Sequence, residues 1–231
     1  MFVLLFCSSQ HHGHPMVFRE KDMQRGAFIT VQGIDGTGKT ETVHALVCEL
    51  ARRGATVQNY DVYKLHDTAN QYEPIKKWVE THATMPAQFD FHLVSMVYHS
   101  KTIMRLLADG QTVVRSRYIE DVYAHYTYLG VPGVHERICA AFFLRPDLRV
   151  ILTLPEEIRR ERITCRGVLD AKDKEAKTPG SRLDFFERFL LYTAQGMLNN
   201  GRAMIIDTSI VSVEEVVERI LACLEEHGLI A

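Results

Sequence analysis

One short stretch constrains this chain more than any other: Gly33-Ile34-Asp35-Gly36-Thr37-Gly38-Lys39-Thr40. It reads G-x-x-x-x-G-K-[ST], a loop whose backbone N–H groups can turn inward onto phosphate oxygens. Glycine suits such a loop because it allows the backbone to bend sharply and approach a ligand closely. Lys39 is placed to reach the outer phosphates, and the Thr40 hydroxyl to meet Mg²⁺. The flanks give the motif its context. Ala27-Phe28-Ile29-Thr30-Val31 is a short apolar, β-branched run of the kind a buried parallel strand needs. Val43, Leu46, Val47 and Leu50 then fall on one helical face, and Gly54 after Arg52-Arg53 closes that helix. The loop therefore sits between a strand and a helix N-terminus, where the helix dipole favours an anion. A chance glycine turn would lack both neighbours.

The 231 residues suffice for one α/β domain, expected over 27–231. Residues 1–26 read as a flexible leader: the apolar run Met1–Cys7 is too short to span a membrane and has no positive segment before it. Met16 and Met23 are alternative starts, and His11, His12 and His14 lack a carboxylate or cysteine to complete a metal site. A formal net charge of −2 creates no demand for nucleic acid or an anionic membrane as partner. The cysteines Cys7, Cys48, Cys139, Cys165 and Cys223 form no metal or redox spacing, which suits a reducing, cytoplasmic setting.

A second strand is expected at Ala55–Tyr60. Asp61 and Lys64 then lie at its C-terminal end, where ligands bind in open α/β sheets, although both also suit a solvated loop. A short helix at Ile75–Val79 precedes a long one at Pro86–Ala108, with Phe89, Leu93, Val97, Met104 and Leu107 as its buried stripe. Its start, Phe89-Asp90-Phe91-His92, offers a platform for a base, chiefly through Phe91 and His92, or plain core packing. The third strand, Thr112–Val114, ends in Arg115-Ser116-Arg117-Tyr118, whose arginines should meet phosphate or solvent. Glu120 and Asp121 open the next helix and offset its dipole. The fourth strand, Arg149–Leu154, leads to a helix bearing Arg159, Arg160, Arg162 and Arg166. Residues 166–182, dense in charge and interrupted by glycine and proline, read as a lid over phosphates or as a surface loop. The fifth strand is Ala203–Asp207, and Ser212-Val213-Glu214-Glu215 is a capping box for the last helix. Five strands alternating with helices give a doubly wound parallel sheet.

This order of parts resembles the thymidylate kinase family of P-loop nucleoside-monophosphate kinases. The likeness rests on Phe28–Thr40, on Val113–Tyr118 where the family has a strand and Asp-Arg-Tyr, on Leu154-Pro155-Glu156 leading to Arg162 and Arg166, on the charged lid, and on Ile205-Ile206-Asp207. It spans residues 27–225. It implies ATP- and Mg²⁺-dependent phosphoryl transfer to a nucleoside monophosphate by a homodimer packed through its long helices. Gly33, Asp35, Gly36, Thr37, Gly38, Lys39 and Thr40 would hold the donor, with Thr40 on the metal. Lys39, Asp35, Arg117, Arg162 and Arg166 would carry catalysis, and Asp61, Lys64, Phe91, His92, Arg117 and Tyr118 would face the acceptor. Three departures stand out. Ser116 replaces the family's Asp, Asp61-Val62-Tyr63-Lys64 replaces Arg-Glu-Pro, and Ser95 falls where the family has an acceptor-binding arginine. Deoxynucleoside kinases are similar at Phe89-Asp90-Phe91-His92. That likeness implies an alternative: a nucleoside or specialised-metabolite kinase acting on a free hydroxyl, with Asp61 as general base. Ser116 also raises a third reading, a nucleotide-binding homologue without turnover.

Overall fold

The computed structural model describes residues 25–61, 72–165, 177–198 and 202–230. Strands β1 (Phe28–Gln32), β2 (Val57–Asn59), β3 (Thr112–Ser116), β4 (Leu148–Thr153) and β5 (Ala203–Asp207) form one sheet in the order β2-β3-β1-β4-β5. Every pairing is parallel. β1 lies between β3 and β4, so the loop that leaves its C-terminal end opens at the point where the strand order reverses. The described helices are α1 (Lys39–Arg52), α2 (Tyr72–His82), α3 (Met85–Ala108), α4 (Ile119–Tyr128), α5 (Val134–Ala140), α6 (Glu156–Cys165), α7 (Arg182–Leu198) and α8 (Val213–Glu226). This is the doubly wound α/β architecture expected.

Alternation along the strands builds both faces of the core. Ile29, Val31, Val114, Leu148, Val150 and Leu152 pack against Leu46 and Leu50 of α1 and Val217 and Ile220 of α8. Their neighbours in sequence point the other way. Phe28 and Val113 meet Ile103 and Leu107 of α3, while Ile151 and Ala203 meet Leu190 and Ala194 of α7. The last helix starts as its sequence predicts: Glu215 N donates to Ser212 Oγ (3.2 Å), and Ser212 N donates to Glu215 Oε2 (2.8 Å).

Several local expectations are corrected. β3 runs on to Ser116, which places Arg115 inside the strand instead of at its tip. Arg115 is 3 % exposed and meets neither solvent nor the loop; its guanidinium lies over the rings of Tyr60 and Tyr118, at 5.4 and 5.2 Å. The buried stripe of α3 also differs. Met104 is exposed, whereas Ser95, His99 and Ser100 are buried. The reason is that this face meets hydroxyls: Ser100 Oγ pairs with Tyr118 Oη at 2.5 Å, and His99 Nδ1 with Tyr60 Oη at 3.1 Å. Buried polar side chains are tolerated where hydrogen-bond partners offset their loss of water. Within the expected leader, Gly26 N donates to Leu107 O (3.1 Å) and Arg25 pairs with Asp147 (3.2 Å), so residues 25 and 26 are already tied to the fold. Residues 1–24, Lys64, Arg166 and the lid segment up to residue 176 lie outside the described residues.

Candidate active site

The loop after β1 is shaped by close backbone contacts. At Gly33 (φ +147°) a Cβ would stand 2.5 Å from Leu152 O, and at Gly36 (φ +95°) 2.8 Å from Arg159 Cγ. No larger residue fits either place without displacing β4 or α6. Thr37 Oγ1 closes the turn by donating to Ile34 O (2.8 Å). Gly38 caps α1 with no side-chain acceptor, which leaves the first N–H groups of the helix available to an anion. Thr40, in the first turn of α1, is exposed.

Lys39 folds back into the loop. It is 8 % exposed; its Nζ donates to Ile34 O (2.8 Å) and lies 3.6 Å from Asp35 Oδ1. Burial, and then the nearby Arg117 charge, push its ammonium down to about 8, against the opposing pull of Asp35 and Asp121. Beside the loop opens a cleft of about 410 Å³ lined by Gly36, Gly38, Thr42, Arg162, Thr208 and Val213. Arg162 is fixed there by Thr208, donating to its hydroxyl (3.1 Å) and its carbonyl (2.5 Å), while Thr208 Oγ1 donates to Thr37 O (3.2 Å). The β5–α8 turn and the loop are thereby joined through Thr208. Beneath the loop, Arg159 is fully buried and bonds Glu156 (2.5 and 3.0 Å). Lys177, at the far end of the expected lid, bonds Glu187 (2.7 Å) and, through its N–H, Glu156 (3.1 Å).

Across the loop mouth stands Arg117. It has φ 58°, alone among the described non-glycine residues in the left-handed region, a conformation with a cost that tends to persist at functional sites. Its amide donates to Val31 O (3.1 Å). Its two terminal nitrogens are divided between Asp35 (2.5 Å) and Asp121 (2.6 Å). Burial opposes the charge, but Asp121 and Asp35 outweigh it and hold the guanidinium pKa above its ordinary value. Asp121 thus does more than offset the α4 dipole, and so does Glu120, which is 6 % exposed and bonds both Arg149 and Gln32. Neither pairing was read from sequence, although the i,i+4 spacing of Arg117 and Asp121 was a visible signal.

The expected acceptor residues divide. Asp61 comes to the tip of β3: its Oδ2 accepts from Ser116 N at 2.9 Å. Phe91 stacks on Tyr72, centroids 5.8 Å apart. His92 meets the edge of the Phe91 ring (centroids 5.4 Å) and also reaches Glu80 (3.5 Å) and Tyr126. Burial pushes the His92 imidazole below its ordinary value, with Glu80 pulling the other way. Phe89 is core, against Tyr126. Tyr118, expected beside the acceptor, is core as well: it is 1 % exposed, edge-on to Phe28 and bonded to Ser100. Ser95 Oγ donates to Tyr72 Oη (3.1 Å) and pairs with His99 Nε2 (3.1 Å).

The family model for thymidylate kinase matches residues 31–220, a span that runs from the end of β1 into α8. This chain belongs to the thymidylate kinase family. A probable thymidylate kinase of Caldivirga maquilingensis is 26 % identical over 215 residues, covering 87 % of this chain and 94 % of the relative. The thymidylate kinase of Dichelobacter nodosus is 31 % identical over 153 residues, 62 % of this chain and 73 % of its own. That of Pseudomonas syringae pv. tomato is 31 % identical over 163 residues, 66 % and 75 % of the two chains. As a member of the thymidylate kinase family the chain is a kinase, a phosphotransferase acting on nucleotides. Among the described residues no helix is long and apolar enough to cross a membrane.

Proposed function

We infer that this kinase transfers the terminal phosphoryl group of ATP to the phosphate of a nucleoside monophosphate, thymidylate first, with Mg²⁺. The observation that carries the reading is Arg117, held at the loop mouth between Asp35 and Asp121, facing the buried ammonium of Lys39. Phosphoryl transfer asks mainly for positioned cations around a charge that moves. The loop fits donor phosphates: the space where a Gly38 side chain would stand has no atom within 4 Å, and the α1 amides point there uncapped. Thr40 would hold Mg²⁺ together with the donor phosphates. Bound there, the ion would neutralise part of their charge. Lys39 would leave Ile34 O for the outer phosphates. Arg162 and Thr208 would fix the donor side, and Arg117 would orient the acceptor phosphate. Arg166 and the rest of 166–182 would close as a lid. Asp61, at the Ser116 amide, brings a carboxylate to the strand tip where the family has its Asp. A homodimer through α3 is supported by the exposed Val94 and Tyr98 on that helix, and a reducing cytoplasm by the free cysteines Cys48, Cys139, Cys165 and Cys223.

A second reading, transfer to an uncharged nucleoside hydroxyl, is favoured by one observation. Where the family places an arginine, this chain has Ser95, bound to Tyr72 and His99. A panel of nucleosides and nucleoside monophosphates with ATP and Mg²⁺, followed by ADP release, separates the two. The first reading expects kcat/KM for thymidylate at least about a hundredfold above thymidine, because a site built for a polar group rejects the analogue lacking it. The reverse order, with Asp61→Asn removing kcat, would replace it with the second.

A further inference from the structure

Buried polar atoms without hydrogen-bond partners gather on one face of the sheet. Thr30 of β1 pairs laterally with Arg115 of β3 and with Arg149 of β4, so these side chains form a row beneath α3, α4 and α7. They are 0 %, 3 % and 7 % exposed. Thr30 Oγ1, Arg115 Nε and Nη1 and Arg149 Nε all lack partners, as does Gln32 Oε1 one step along β1. Two guanidinium groups share this interior with one bonded carboxylate, Glu120, which Arg149 holds. Water could satisfy the hydroxyl and the amide but would bring no countercharge.

Arg149 also lines a cavity of about 630 Å³ together with Tyr118, Glu120, Phe143, Arg145 and Arg202. That volume is typical of small-molecule sites. Arg145 and Arg202 are exposed, and neither has a carboxylate partner among the described residues. Three guanidinium groups thus face one carboxylate around an opening with an apolar wall at Phe143 and Leu144. None of these residues lines the cleft beside the loop. We propose that this cavity is a second anion site, separate from the phosphate-binding loop, that takes a phosphorylated small molecule. Arginine forks match phosphate oxygens two at a time, and Arg149 Nε supplies a donor that the fold leaves unused. The site is wired to the loop. Glu120 Oε2 accepts from Gln32 Nε2 (2.9 Å), Gln32 directly precedes Gly33, and the residue after Glu120 holds Arg117. An anion that draws on Arg149 therefore acts on the same carboxylate that steadies the end of β1.

The test uses inorganic pyrophosphate and the Lys39→Ala variant, in which the loop site is weakened. Calorimetry should find one remaining site in K39A. Its affinity should fall at least about tenfold in K39A/R145E/R202E, the size of a lost charge-assisted hydrogen bond. A charge-matched control, K39A/K101E/R219E, reverses exposed cations on α3 and α8 and should bind like K39A. Hydrogen exchange in K39A should show pyrophosphate protecting 138–146. Equal affinity in the two triple variants, or protection confined to 33–40, would overturn the proposal.

Discussion

Lys39→Met should stabilise the ligand-free fold while sharply slowing phosphoryl transfer. In the folded chain burial and Arg117 depress the Lys39 ammonium to about 8, whereas an unfolded lysine titrates near ~10.4. At ~1.4 kcal/mol per unit, keeping this lysine charged costs the fold about 3 kcal/mol. Methionine has similar length and no charge, so it removes that cost. It also gives up the 2.8 Å bond to Ile34 O, which contributes about 1–2 kcal/mol. The net gain at pH 7 should be about 1–2 kcal/mol, or a few degrees in Tm for a domain of this size. The pH dependence is the sharper signature. Between about 8 and ~10.4 the unfolded chain binds more protons than the folded one, so wild-type stability gains from this group as pH rises. Methionine has no proton to exchange there. The gap between variant and wild type should therefore narrow by about 2 kcal/mol from pH 7 to pH 9.5. Urea unfolding of both ligand-free proteins at the two pH values measures it, and other titrating groups cancel in the difference. A gap of the same size at both pH values would refute the claim that a buried charge is being carried. Transfer by the variant should fall ~10²–10³-fold, the usual loss for an electrostatic stabiliser of this kind.

The same titration should govern donor binding: phosphates require the charged lysine, so ATP should bind about tenfold more weakly at pH 9 than at pH 7, with the slope absent in Lys39→Met; calorimetry that finds no slope in wild type would contradict this. Arg117→Lys should lower kcat ~10²–10³-fold, because a single ammonium cannot span Asp35 and Asp121 and present a fork to the acceptor; steady-state kinetics with near-normal kcat would remove Arg117 from the site. Glu120→Leu should destabilise the fold by about 3–5 kcal/mol in urea unfolding by leaving Arg149 buried without its carboxylate, and a loss under about 1 kcal/mol would mean that the charge is compensated elsewhere.

Sequence alone determined what depends on near neighbours. The loop was legible because its glycines, Lys39 and Thr40 act through adjacent backbone, and the flanking strand and helix announce themselves by periodicities of two and 3.6. The number and parallel direction of the strands followed from alternation with helices, and the Ser212 cap from a spacing of three residues. The departures at Ser95 and Ser116 were also visible as departures. Tertiary structure alone decided where the charges went. Arg115 read as ligand-facing or solvated, yet it is buried, and so is Arg149 at the start of β4, because strand parity turns both under α3, α4 and α7. Asp61 finds the Ser116 amide across 55 residues, and Asp35 finds Arg117 across 82. Tyr118 went to the core because Phe28 and Ser100 converge on it from β1 and α3. Whether a charged or polar side chain meets water, a ligand or a buried partner depends on what the rest of the chain packs over it, and local sequence carries no record of that.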